Sequence, residues 1–236
     1  MTVNPSLESI LEPGTPPRQA TMGTYVFDVL RQAIIQLRLK PGNALSESEI
    51  AKQLGVSRQP VREAIIKLAE AGLVEVRPQR GTYVLLISKR EVETARFLRE
   101  AIEVAIARKA ADACDAKAAE ALRASIRRQK ETERSGVYTE FLRLDEEFHQ
   151  TIARAADCES AWKVLEGLKA QMDRVRFLSI PMATPVRTLI AQHNAIAEAI
   201  IAKDADAADA AMKVHLREIL KSLPKLSADH PDLFVE

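Results

Sequence analysis

All four histidines of this 236-residue chain fall after residue 148, at His149, His193, His215 and His230. Asp145 precedes His149 by four residues, so on a helix the carboxylate and the imidazole share one face. His193 lies within Gln192-His-Asn-Ala-Ile-Ala-Glu-Ala-Ile200, and His215 within Met212-Lys-Val-His-Leu-Arg-Glu-Ile219. Both strings carry apolar residues at helical spacing. Three helices of one bundle would then deliver one carboxylate and three imidazoles, from Asp145, His149, His193 and His215, to a common interior. That donor set suits Zn²⁺, Ni²⁺, Mn²⁺ or Fe²⁺, with positions left open for water or an anion. The affinity order of divalent ions favours zinc as the ion retained through purification. Each histidine taken singly also reads as an ordinary core or surface residue. His230, between Asp229 and Pro231, stands apart in the tail. A metal with open positions attracts a carboxylate, and an arginine would clamp its other end. Arg99, Arg174 and Arg176 are the candidates, each with a packing ion pair to Glu103 or Asp173 as its plainer role.

A second group of residues points to phosphate and base edges. Arg58, Gln59 and Arg62 open a helical segment, and Arg58 and Arg62, four apart, share a face. Arginine at the start of such a helix forks to guanine or to phosphate, and glutamine reads adenine. Lys67 follows on the exposed surface, and Arg80-Gly81 forms a turn tip able to approach a backbone closely. Ser57 at the helix start and Thr82 beside the tip complete the candidate DNA-binding set. Residues 51–86 hold six basic groups and three acidic ones, a local balance of +3 within a chain whose total is +1. Local basicity is what phosphate contact requires.

The elements that must carry these residues divide the chain. Residues 1–22 contain Pro5, Pro13, Pro16 and Pro17 and no apolar period, which reads as a disordered leader rather than a signal peptide. Residues 23–87 read as three short helices and a strand–turn–strand. Val26, Leu30, Ala33, Ile34 and Leu37 give the first helix its face. Ser46-x-x-Glu49 is a capping box for the second, which Gly55 closes. Ser57 caps the third, which ends at Gly72. Strands follow at 73–76 and 82–86, with Pro78–Gly81 as the turn. That is the layout of a winged helix-turn-helix. From Ser88-x-x-Glu91 onward the pattern is helical, in six segments near 88–114, 117–134, 138–156, 160–179, 185–203 and 204–222. The expected fold is therefore mainly α: a winged helix-turn-helix (α+β), then an all-α bundle over 88–223, then a loose tail over 224–236. Two cysteines, Cys114 and Cys158, are too few for a disulfide framework and favour a reducing, cytoplasmic setting. No apolar stretch of about 18 residues offers a membrane span.

The run from Leu45 to Ile66, with Ser57-Arg-Gln-Pro-Val-Arg-Glu-Ala64 at its centre, resembles the GntR family of bacterial transcription regulators. Leu68–Val74 and Gly81-Thr-Tyr-Val84 extend the likeness. The resemblance implies that Arg58 and Arg62 are the main DNA contacts, with Gln59 near the bases and Gly81 in the wing. Acyl-CoA-responsive members carry Arg where Ser48 stands, so that contact is absent here. Phe97-Leu-Arg-Glu-Ala-Ile-Glu103, Asp145-Glu-Glu-Phe-His149, Gln192-His-Asn-Ala-Ile196 and His215-Leu216 resemble the FCD, or FadR-type, effector domain. In that family an aspartate and three histidines hold a divalent metal beside a small carboxylate effector. The implied ligands are Asp145, His149, His193 and His215. Cys158 stands where the family often has Asn, which puts that local cap in doubt. Six helical segments place the domain nearer a VanR-like than a FadR-like branch. The expected protein is a homodimeric repressor of a palindromic operator, released by a small organic acid, with no membrane partner. Two readings stay beside it: a metal-dependent hydrolase carrying a DNA-binding module, and a regulator whose metal is purely structural.

Overall fold

The structure, a computed structural model, describes Leu11 and residues 21–236. The expected leader therefore lies almost wholly outside the described residues. The chain divides into two compact units, one comprising Met1–Lys89 with His230–Glu236 and the other Arg90–Asp229.

In the first unit, Thr21 caps α1 (Met22–Ile35), its hydroxyl accepting from the Thr24 amide at 3.2 Å. After β1 (Ala44–Leu45), Ser46 caps α2 (Glu47–Leu54) by accepting from the Glu49 amide at 3.3 Å. Gly55 ends α2 at φ +65°, in the left-handed region that costs glycine nothing. α3 (Arg58–Glu70) starts after Ser57, whose hydroxyl makes no capping bond, contrary to expectation. β2 (Val74–Arg77) and β3 (Gly81–Val84) form an antiparallel hairpin in which Arg77 faces Gly81, and β1 joins the other edge of β3. The two-residue β1 has no alternation to announce it in sequence. Val26, Leu30 and Ile34 of α1, Ile50 of α2, and Val61 and Leu68 of α3 are wholly buried. Each such side chain contributes roughly 1.5–3 kcal/mol. This core fixes α3 by its inner face and leaves its outer face to solvent.

The tail is not loose. β4 (Ile87–Ser88) pairs in parallel with β5 (Phe234–Val235), so the chain terminus completes a second small sheet in the first unit. Ser88 lies in that strand, and α4 (Lys89–Ala113) begins one residue later.

The second unit holds eight helices, not six. After α4 come α5 (Ala116–Ser135), α6 (Tyr138–Ala155), α7 (Glu159–Leu168), α8 (Ala170–Met182), α9 (Val186–Ile201), α10 (Ala205–Leu216) and α11 (Ile219–Asp229). Asp115 and Asp204 cap α5 and α10. The expected segment 160–179 is broken at Lys169, a buried lysine held by Glu146 and Asp173 at 2.8 and 2.9 Å. The expected 204–222 segment is broken at Arg217-Glu218, and α11 runs on through Pro224. Proline removes one helical donor; burial of Leu223 and Leu226 on a helix that packs against α8 offsets that loss. The preference for a VanR-like branch, which rested on six helices, loses its basis. α6 packs against α5, α7, α8 and α9, and α9 against α5 and α10. Phe148, Ile152, Ile196, Ile200, Met212 and Leu216 join α6, α9 and α10 in one apolar cluster.

Candidate metal centre and nucleic-acid interface

The same three helices position the imidazoles. α6 carries Asp145 and His149 inward, α9 carries His193, and α10 carries His215 near its end. All four are buried, and one ligand atom from each lies within 4.8 Å of the others. His215 Nε2 stands 3.2 Å from His149 Nε2 and 3.3 Å from His193 Nε2. Asp145 Oδ1 faces His193 Nε2 at 3.4 Å and accepts no hydrogen bond among the described residues.

The opposite edge of each ring explains why the Nε2 atoms converge. His193 Nδ1 stands 2.7 Å from Gln129 Oε1, and Gln129 turns its amide nitrogen to the Leu144 carbonyl. His215 Nδ1 stands 3.1 Å from Gln192 Oε1, and the Gln192 amide nitrogen donates to Glu218 at 2.8 Å. His149 Nδ1 lies 2.6 Å from Glu103 Oε2. His193 and His215 thus each have an acceptor at Nδ1, which places the proton there and leaves Nε2 with a bare lone pair, whereas Glu103 stands beside His149 Nδ1 without hydrogen-bonding geometry. Three ring nitrogens, two of them bare, and a buried carboxylate oxygen gather at one point, an arrangement that a cation between them satisfies. The residues therefore fit a divalent metal with an N₃O donor set.

Electrostatics favour the neutral forms of His193 and His215 and the ionised forms of the two carboxylates. Burial alone would raise the Glu103 carboxyl, but the Arg99 guanidinium beside it holds it at about 2. Burial would likewise raise Asp145, and the Arg176 guanidinium beside it holds it well below the usual carboxylate range. Burial pushes His193 down to about 3 and His215 well below its ordinary value, so both are neutral, as metal ligation demands.

Arg99 donates to Glu103 and Arg176 to Asp145. Both arginines, with Asp145 and His215, line a cavity of ≈ 40 Å³ beside the cluster. Arg174 is fully buried beside Gln171, 3.2 Å away, and does not line that cavity. Trp162 is buried in the apolar cluster, its ring parallel to His149 at 5.9 Å. Cys158 precedes α7 without capping it. Gln129, Gln192 and Glu103 stand behind the imidazoles although none belongs to the Asp/His donor set that the sequence displays. Gln129 continues the inner stripe of Leu122 and Ile126, where a polar residue requires a buried partner.

In the first unit, Arg58, Gln59, Arg62 and Lys67 are all exposed on α3, with Ser57 at its start. Glu47 of α2, unnoticed in the sequence, accepts from both Arg58 at 3.2 Å and Arg62 at 3.3 Å. It holds the two guanidiniums side by side. Gln59 donates to Glu63 at 3.1 Å. In the wing, the Tyr83 hydroxyl donates to the Arg80 carbonyl at 2.7 Å, and the Arg77 guanidinium lies over the Tyr83 ring at 5.0 Å. These contacts present Arg80 and Gly81 at the exposed tip, Gly81 at φ +107°. Thr82, by contrast, points inward, only 9% exposed, with Leu45 and Val76 as its strand neighbours. It is a sheet residue rather than a surface one.

An arginine-bearing helix beside a wing, followed by an all-helical domain, makes this chain a DNA-binding transcription regulator. Residues 23–84 match the family of bacterial regulatory proteins called gntR, and residues 95–218 match the FCD domain. The chain is 40% identical over 231 residues to the HTH-type transcriptional regulator YdfH of Escherichia coli O6:H1, covering 98% of this chain and 99% of that one. It is 39% identical, with the same coverage, to the HTH-type transcriptional repressor RspR of Escherichia coli K12. The solved structure of E. coli McbR/YncC shares the fold at TM-score 0.77 and 20% identity, over 88% of this chain and 99% of that one. The chain belongs to the GntR family and carries an FCD domain. With regulators as its relatives, it is not an enzyme, and the hydrolase reading falls. Among the described residues no helix is long and apolar enough to cross a membrane.

Proposed function

We propose that the protein is a homodimeric repressor whose grip on a palindromic operator is loosened by a small carboxylate bound beside a divalent metal. Asp145, His149, His193 and His215 would hold the metal, with zinc the first candidate. The metal supplies a Lewis-acid site for an anionic oxygen. Arg99 and Arg176 supply positive charge in the adjoining cavity, and Gln129, Gln192 and Glu103 fix the imidazoles. Arg58 and Arg62 contact the duplex, with Gln59 at the bases and Lys67 and Arg80 on flanking phosphates. The observation that carries this reading is the convergence of the three histidine Nε2 atoms and Asp145 Oδ1, beside a cavity that Asp145 and His215 line with Arg99 and Arg176. RspR, 39% identical to this chain, is a transcriptional repressor, which supports the same role here.

A two-fold dimer presents two α3 helices to two half-sites. The acid weakens DNA binding by favouring another arrangement of the heads, and DNA weakens acid binding by the same factor. A titration of operator DNA with zinc-loaded protein, with and without a bound organic acid, tests it. The expected shift is about 5–150-fold. Unchanged operator affinity with every acid that binds refutes the switch.

A further inference from the structure

Glu47, at the first position of α2, ties together the arginines proposed to read the duplex. Its Oε2 accepts from Arg58 Nη2 at 3.2 Å and from Arg62 Nη2 at 3.3 Å, and its Oε1 accepts from Arg62 Nε at 3.4 Å. The Glu47 side chain is 25% exposed against 65% for Arg58 and 58% for Arg62, so the acid lies deeper than the two guanidiniums it holds. The amide-rich start of α2 favours its negative charge, and the hydrogen bond from Arg62 keeps its carboxyl below the usual range. Gln59, the third reading residue, is also held by a carboxylate. Its amide donates to Glu63 Oε1 at 3.1 Å, and Glu63 Oε2 stands so close to Gly23 of α1 that a Cβ there would meet it at 2.7 Å.

Two consequences follow for what this face can bind. Arg62 commits its Nε and one side of Nη2 to Glu47, so the end-on fork of Nη1 and Nη2 is the pair it can offer a duplex. That fork fits guanine O6 and N7, and it also fits a phosphate. Charge separates the two partners: Glu47 repels a phosphate and is nearly indifferent to a neutral base edge. Arg58 and Arg62 are balanced by Glu47 and Glu63, and residues 44–86 as a whole hold six basic groups and five acidic ones. The reading face is therefore close to neutral, although phosphate attraction is what draws a protein to DNA of any sequence. We propose that Glu47 is a specificity-determining positioning residue, which aims Arg58 and Arg62 at guanine edges and weakens the grip of the head on random duplex. Disfavouring the wrong partner widens the ratio between operator and bulk DNA.

Glu47 has this role only if Arg58 and Arg62 face the duplex as proposed, and the experiment tells the two apart. Full-length wild-type protein first selects a preferred duplex from a random-sequence library. Anisotropy titrations across a salt series then measure that duplex and a mixed-sequence duplex with wild type, Glu47→Gln and Glu47→Asp. Glu47→Gln removes one negative charge at constant size. Its affinity for mixed-sequence DNA is expected to rise about eightfold at about 0.1 M salt, with a log–log salt slope steeper by about 0.9. Its ratio of selected to mixed-sequence affinity is expected to fall about tenfold, within the worth of one guanine fork. Glu47→Asp keeps the charge and shortens the reach, so mixed-sequence affinity and slope should stay at wild-type values while the ratio falls. An unchanged slope and ratio in Glu47→Gln overturn the inference. Equal losses on both duplexes with a lowered Tm make Glu47 a packing contact between α2 and α3, and overturn it too. Wild-type affinities for both duplexes in Arg58→Ala and Arg62→Ala remove the underlying reading of α3 instead.

Discussion

Gln129 touches neither the cavity nor the point where the Nε2 atoms meet, yet it governs whether His193 can be a ligand. Its Oε1 takes the Nδ1 proton of His193 at 2.7 Å, and it is fully buried. Gln129→Leu keeps the approximate volume and removes the acceptor. His193 Nδ1–H is then buried without a partner, at a cost of about 1–3 kcal/mol. The ring is also free to flip or to move its proton to Nε2, the atom that would hold the metal. Loss of such an outer partner typically lowers metal affinity about 10–100-fold, equivalent to about 1.4–2.7 kcal/mol. Competition against a chromophoric chelator measures zinc affinity, and paired melts with and without Zn²⁺ measure stability. The zinc-induced rise in Tm should shrink with the affinity. Gln129→Glu retains an acceptor and should recover most of the affinity. Wild-type zinc affinity in a less stable Gln129→Leu protein would refute the tautomer assignment and reduce Gln129 to a packing residue.

Three other outcomes follow from the same structure. Arg58→Ala, at a side chain 65% exposed, should leave folding intact and weaken operator binding by about 1–3 kcal/mol if the contact forks to guanine; unchanged anisotropy titrations would show α3 to be oriented otherwise. Gly55→Ala should cost about 1–2 kcal/mol in urea unfolding, from the left-handed backbone alone, because a Cβ there meets nothing within 4 Å; a neutral result would refute the strain. Metal-free protein should lose stability as pH falls from about 6.5 toward 3, because unfolded histidines take protons that His193, held near about 3, and His215 refuse. Thermal melts across that range check it, and a flat profile contradicts the burial of neutral imidazoles.

Local chemistry made much of the site legible. Asp145 and His149 share a face because four residues make about one turn, and Ser46 and Gly55 mark the ends of α2 by capping and by positive φ. What stayed hidden depends on long-range contact. β1 and β5 are two residues each, too short for an alternation, and their partners lie far along the chain. The break at Lys169 has no proline and only Gly167 in the preceding turn to announce it; Lys169 is held by Glu146 of α6 and Asp173 of α8. Arg174 and Thr82 look like surface residues by type and are buried by packing. Glu47 and Gln129 gain their roles only from the side chains the fold brings to them.

The central claim, that Asp145, His149, His193 and His215 form a metal-binding sensor in a dimeric regulator, is tested most directly by native mass spectrometry of the protein supplemented with Zn²⁺ and then desalted. The prediction is a dimer with one divalent ion per chain, and metal-free dimers when His215→Ala is treated identically. A wild-type protein that emerges without metal, or a His215→Ala protein that retains a full complement, would contradict it.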